Sequence, residues 1–165
     1  MARSGPEAAV TLSVLDRLID EEPRVSGEAP LSRAQAVRTL KAAVRRDLEW
    51  LLNTRRIVEE PADNYKELNR SAYIFGLPDF SSMSIRSASD RDRLLRTVEE
   101  AIELFEPRLA NVQLIPVEGE EKSIQTLRFR IDALLLMDPA PEQVFFDTVL
   151  QLTSQQYKIK GDSDA

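Results

Sequence analysis

A carboxylate, a proline and a guanidinium stand in a row at Glu106-Pro107-Arg108. Glutamate offers acceptor oxygens only, and arginine offers a planar fork of donors. Side by side they can engage a partner's polar groups or each other. Taken as local structure, the triplet is a helix stop with an exposed ion pair, worth well under ~1 kcal/mol. Taken as a site, it is a docking point at which Arg108 can grip a carboxylate with two bonds. Spacing alone leaves both readings open. A second chemistry is glycoside hydrolysis, which needs two carboxyl groups. Asp79, Glu99, Glu100, Glu103, Glu106, Asp132 and Asp147 are available. The sequence marks no unique pair among them, and most look like solvated helix faces.

Other chemistries are excluded by composition. The chain of 165 residues contains no cysteine and no histidine. Disulfides, thiolate nucleophiles, the Ser-His-Asp triad and imidazole or thiolate metal sites therefore drop out. No cofactor or metal is expected. Its five glycines are too scattered to form a phosphate-binding loop. A net charge of −6 argues against a nucleic-acid binder. The charge is uneven, however. Residues 33–56 hold seven Lys/Arg against two Asp/Glu, with Arg38, Lys41 and Arg45 as a possible contact face. The alternative is an ordinary solvated helix face. The start lacks a basic stretch followed by an apolar core, and the longest apolar run, Ala133 to Met137, is too short to span a bilayer. A cytoplasmic protein without membrane insertion is expected.

The elements that must position these residues follow from apolar spacing. Residues 1–10 are expected to be flexible, 11–160 to form one domain, and 161–165 to be a disordered acidic tail. Leu12, Leu15, Leu18 and Ile19 recur at helical spacing. Ser32 and Gln35 have capping-box spacing and open the longest helix. Val37, Leu40, Val44, Leu48 and Leu51 form its stripe, and it should end near Asn53. Trp50 lies off the centre of that stripe, and its aromatic bulk favours core packing over a partner contact. Residues 54–89 read as a long connection pinned by Tyr73, Phe75, Leu77 and Phe80, with Gly76 able to supply a positive φ. A third helix, capped by Ser87 or Ser89, carries Leu94, Val98, Ile102 and Phe105 up to Glu106.

After Pro107 the spacing alternates. Strands are expected at Leu109–Val117, Thr126–Leu136 and Val144–Leu152, with a short fourth at Tyr157–Lys160. In the first, Ala110, Val112 and Leu114 should share one face. In the second, Leu127, Phe129, Ile131, Ala133 and Leu135 should share one. Pro116 ends pairing or marks an edge. The fold class is thus α+β, with three N-terminal helices followed by a small, mostly antiparallel sheet of three to four strands. A sheet that ends a chain can leave an edge open, to be protected or used for strand addition. Residues 144–160 are the place to look for a partner strand.

Five stretches occur in order: Ser13-Val14-Leu15-Asp16-Arg17-Leu18, the block from Arg45 to Arg56, Gly76-Leu77-Pro78-Asp79-Phe80, Glu106-Pro107-Arg108-Leu109, and Phe146-Asp147-Thr148. Together they resemble the TssE family of type VI secretion baseplate wedge subunits. That family lies within the contractile-phage baseplate wedge proteins that initiate tail sheaths, which are also labelled lysozyme-like. The resemblance implies a structural, non-enzymatic protein. Glu106, Pro107 and Arg108 would contact the wedge core built by TssF and TssG, in complex with TssK. The sheet would pair with arms of the first sheath ring, made of TssB and TssC. That role falls on Val144, Phe146, Thr148, Leu150 and Leu152, and on Tyr157 and Ile159. Phe75 stands where the family leads one to expect tyrosine, and Gln155-Gln156 where it leads one to expect a glycine-bearing turn. Two outcomes follow from this reading: Arg108→Ala abolishes docking while the isolated domain stays folded, and proline at Val149 blocks sheath initiation if that strand pairs externally.

Overall fold

A computed structural model describes residues 33–59, 61–84, 86–117, 126–138, 140–151 and 156–161, together with Leu18 and Ser154. Of the expected first helix only Leu18 falls among them, helical and exposed. The expected flexible start lies outside the described residues, as does the tail beyond Gly161.

Apart from the helical Leu18, the described residues form two α-helices followed by a four-stranded sheet. The first, α1, spans Arg33–Asn53. Its stripe is buried as the spacing requires: Val37, Leu40, Val44, Leu48 and Leu51, widened by Ala36, Ala43 and Leu52. Fully burying a valine or leucine contributes roughly 1.5–3 kcal/mol. The six on α1 thus supply on the order of 10 kcal/mol before entropy, which fixes the helix to the core. The second, α2, spans Ala88–Phe105. The Ser87 side chain caps it by accepting from the Asp90 N–H, and Leu94, Leu95, Val98 and Ile102 are buried. Pro107 follows its end, where the backbone of Glu106 leaves helical geometry.

Between the helices the chain makes two 3-10 turns, Leu68–Arg70 and Ala72–Ile74. Leu77 and Phe80 are buried as expected, and Phe75 packs edge-on against Phe105 at 5.2 Å between ring centroids. Tyr73 is exposed instead, and Ile74 takes the buried place, because the 3-10 turn rotates the tyrosine outward. Gly76 does adopt a positive φ, +106°. That bend lets Leu77 N–H reach Thr54 O and Leu77 O accept from Arg56 N–H, both at 2.8 Å, tying the loop to the end of α1.

The strands are β1 (Leu109–Pro116), β2 (Thr126–Leu135), β3 (Glu142–Gln151) and β4 (Gln156–Gly161). They form an antiparallel meander in the order β1-β2-β3-β4. Gly161 belongs to β4 and not to a tail. Along β2 the five alternating residues Leu127 to Leu135 are all buried. They join the apolar faces of α1 and α2 in one core, so the helices cover one sheet face. Arg128, Arg130, Asp147, Lys158 and Lys160 lie exposed on the other. Strand β1 departs from the expected alternation. Its pairing shifts between Ala110 and Gln113, and Asn111 there has φ +52°. This bulge resets the parity, so Leu109 and Val112 are buried where Ala110 and Val112 were expected. Asparagine tolerates that left-handed conformation better than most residues.

Candidate functional site

The joint between α2 and β1 meets the middle of α1. Glu106 is 4% exposed although it is charged. Its backbone N–H donates to Ile102 O at 2.8 Å, ending α2, and its carbonyl accepts from Leu109 N–H at 3.0 Å, starting β1. Pro107 lacks a donor and holds the corner between these bonds. The side chains of Glu106 and Arg108 pair within the fold. Arg108 Nε donates to Glu106 Oε1 at 2.6 Å, and Nη2 to Oε2 at 2.5 Å. The same Nη2 donates to Asp47 Oδ2 at 2.6 Å. Asp47 Oδ1 in turn accepts from Nε and Nη2 of Arg46, at 3.0 and 2.9 Å. Two carboxylates and two guanidiniums thus alternate in a neutral chain of charge-assisted bonds. Hydrogen bonding to Glu106 raises the Arg108 pKa above its already high range, burial opposes this, and the bond to Asp47 adds to it. Arg108 Nη1 is buried with no acceptor among the described residues.

An open groove of about 410 Å³ lies over this network, lined by Asp47, Trp50, Leu51, Phe75, Phe105 and the triplet. Trp50 is 55% exposed, which overturns the core-packing expectation. Its position off the α1 stripe leaves the ring at the rim of the groove, with the Arg46 guanidinium 5.3 Å from the ring centre. Spacing had singled out Glu106 and Arg108 but not Asp47. The one available signal was a lone acid following Arg45-Arg46 on the helix flank.

The expected strand-pairing residues fare differently. Strand β3 is paired with β2 along its whole length and with β4 over Phe146–Gln151. Val144, Phe146, Thr148 and Leu150 are also buried, and Leu152 lies outside the described residues. The assignment of external pairing to β3 is therefore corrected, because these four residues turn their backbone groups to β2 and β4 covers the other side from Phe146 to Gln151. Tyr157 and Ile159 lie on β4, with buried side chains. Their outward backbone groups face α1. Tyr157 N–H donates to Asn53 Oδ1 at 2.9 Å, and its carbonyl accepts from Asn53 Nδ2 at 3.0 Å. Ile159 N–H donates to Glu49 Oε1 at 3.2 Å. On the possible basic face, Lys41 is paired with Glu142 at 3.0 Å, Arg45 is half-buried, and Arg38 is exposed. The carboxylates Asp79, Asp132 and Asp147 are engaged locally, by Ser81, Gln143 and Arg130.

The family model of baseplate wedge protein gp25 matches residues 38–140. The chain belongs to that family. The matched span contains every residue of the groove, from Asp47 to Arg108, and the strands β1 and β2. No curated protein gives a significant match. Membership makes this gp25-family chain a structural baseplate component that interacts with other baseplate proteins. None of its described helices is long and apolar enough to cross a membrane.

Proposed function

We propose that the chain is the TssE-type wedge subunit of a type VI secretion baseplate, a non-enzymatic part assembled on the cytoplasmic side of the inner membrane. It docks on the TssF–TssG core, in complex with TssK, through the groove at Glu106-Pro107-Arg108. The observation that carries this reading is the exposed Trp50 beside an apolar groove whose polar floor is internally neutralised. An exposed tryptophan next to a rigid arginine is the composition of an interface hot spot. The charged floor is already paired, so docking there strips water from a neutral network and not from isolated ions. The sheet then receives an extended arm of the first TssB–TssC sheath ring, whose backbone bonds fix register and whose alternate side chains give specificity.

Co-expression tests the reading. The full chain should co-purify with TssF and TssG and recruit sheath subunits. Failure to retain either wedge protein would contradict it. So would lysis of purified peptidoglycan that disappears when Glu106 is replaced by glutamine.

A further inference from the structure

Strand addition needs an edge with unpaired backbone groups, and the two outer strands differ in what they offer. On β4 the outward groups of Tyr157 and Ile159 are held by Asn53 and Glu49, four residues apart on α1. Four helical residues rise about 6.0 Å and two strand residues about 6.8 Å, so successive helix turns match successive outward groups. The helix acts as a side-chain substitute for a fifth strand. A real strand would need about 4.8 Å of clearance beside β4, the volume those side chains fill. Making that room would pull α1 and its eight buried side chains from the core.

On β1 the situation is reversed. Val117 N–H donates to Arg128 O, so Val117 and, by alternation, Ile115 and Gln113 bond inward to β2. Leu114 and Pro116 then point outward. No described residue accepts from Leu114 N–H. Pro116 sits where its missing donor breaks no bond to β2. Ile115 and Val117 leave apolar side chains exposed on the same stretch, 46% and 44%. The bulge at Asn111 closes the stretch at its other end.

We infer that the arriving segment adds to β1 over Leu114–Pro116, and that α1 keeps β4 closed. The occupant is a short extended segment of about four residues, since between the bulge and Val117 the outward groups are the Leu114 N–H and the Leu114 and Pro116 carbonyls. It carries an apolar, β-branched side chain against Ile115 and Val117. This assignment rests on the strand-addition reading above.

Residue-resolved hydrogen exchange on the full chain, alone and with its assembled sheath subunits, tests it. Alone, the Leu114 amide should exchange freely while those of Tyr157 and Ile159 are protected. With sheath subunits, Leu114 should slow at least tenfold and β4 should stay unchanged. Ile115→Lys, at an exposed position, should keep the fold and weaken sheath binding at least tenfold. New protection or loosening at Tyr157 and Ile159, with Leu114 unchanged, would overturn the edge assignment and leave strand addition standing. Co-sedimentation without change at either edge would overturn both. A Leu114 amide already protected in a chain that dimerises by itself would assign β1 to a second copy and overturn the proposal. Undiminished sheath binding by folded Ile115→Lys would also overturn it.

Discussion

Arg108 holds together two carboxylates, one of them almost fully buried, that would repel each other without it. Arg108→Ala should cost about 3 kcal/mol, because removing one partner strands a buried charge. In a domain of this size that lowers Tm by roughly 6–12 °C. Calorimetry checks it. Loss of docking in this variant therefore reports folding as well as recognition, and Trp50 is the cleaner probe. Tyr157 gives a second residue-level test. Burial raises its hydroxyl pKa, and the hydroxyl has no partner among the described residues. A phenol raised on folding contributes stability that is complete below the unfolded value of about 10 and lost as pH rises beyond it. Tyr157→Phe should be neutral or slightly stabilising at pH 7. It should also flatten the fall in urea midpoint above about pH 10. The adjacency of Glu106 and Arg108 was legible, but spacing left their pairing open and gave no sign that Glu106 is buried. Asp47 was not, because it lies 61 residues away and meets Arg108 only through the packing of α1 against the joint. Trp50 was misplaced because average aromatic burial outweighed its visible position off the helix stripe.

At the scale of elements, the Gly76 bend decides how the long loop meets α1. A Cβ at Gly76 would lie 2.4 Å from Thr54 O, a backbone atom that cannot swing aside. Gly76→Ala should cost at least about 2 kcal/mol through the strained positive φ alone. It should also expose the amides of Arg56 and Leu77 to exchange, which amide exchange rates measure. Proline at Val149 now carries a different expectation. Val149 lies between Arg128 and Lys158 in the sheet interior, so proline removes a ladder bond and should unfold the sheet. Far-UV circular dichroism reads that loss directly. The β2 stripe and both helices were legible because their apolar residues keep one period throughout. The bulge in β1 was not, since Asn111 looks like an ordinary outward polar residue until the register slips. The closed edge of β4 was equally hidden, because nothing in Asn53 or Glu49 announces a bond to a strand a hundred residues on.

At the scale of the molecule, the fold divides its duties between two regions. The joint fixes α1, α2 and β1 to one another and carries the Trp50 groove, and in the sheet beyond it α1 closes the β4 edge while β1 is the edge proposed for strand addition. The antiparallel meander was legible from short turns between alternating strands. Which surface faces a partner was not, because exposure depends on tertiary placement, which residue spacing does not carry. In the proposed function this gp25-family chain docks on the wedge core through the groove at Trp50 and the Glu106-Pro107-Arg108 joint. The most direct test is the affinity of the full chain for purified TssF–TssG core, compared between wild type and Trp50→Ala at matched circular dichroism and Tm. Truncating a hot-spot tryptophan costs roughly 2 kcal/mol or more, so binding should weaken about thirtyfold. A folded Trp50→Ala variant that binds the core as tightly as wild type would rule out the groove as the docking surface.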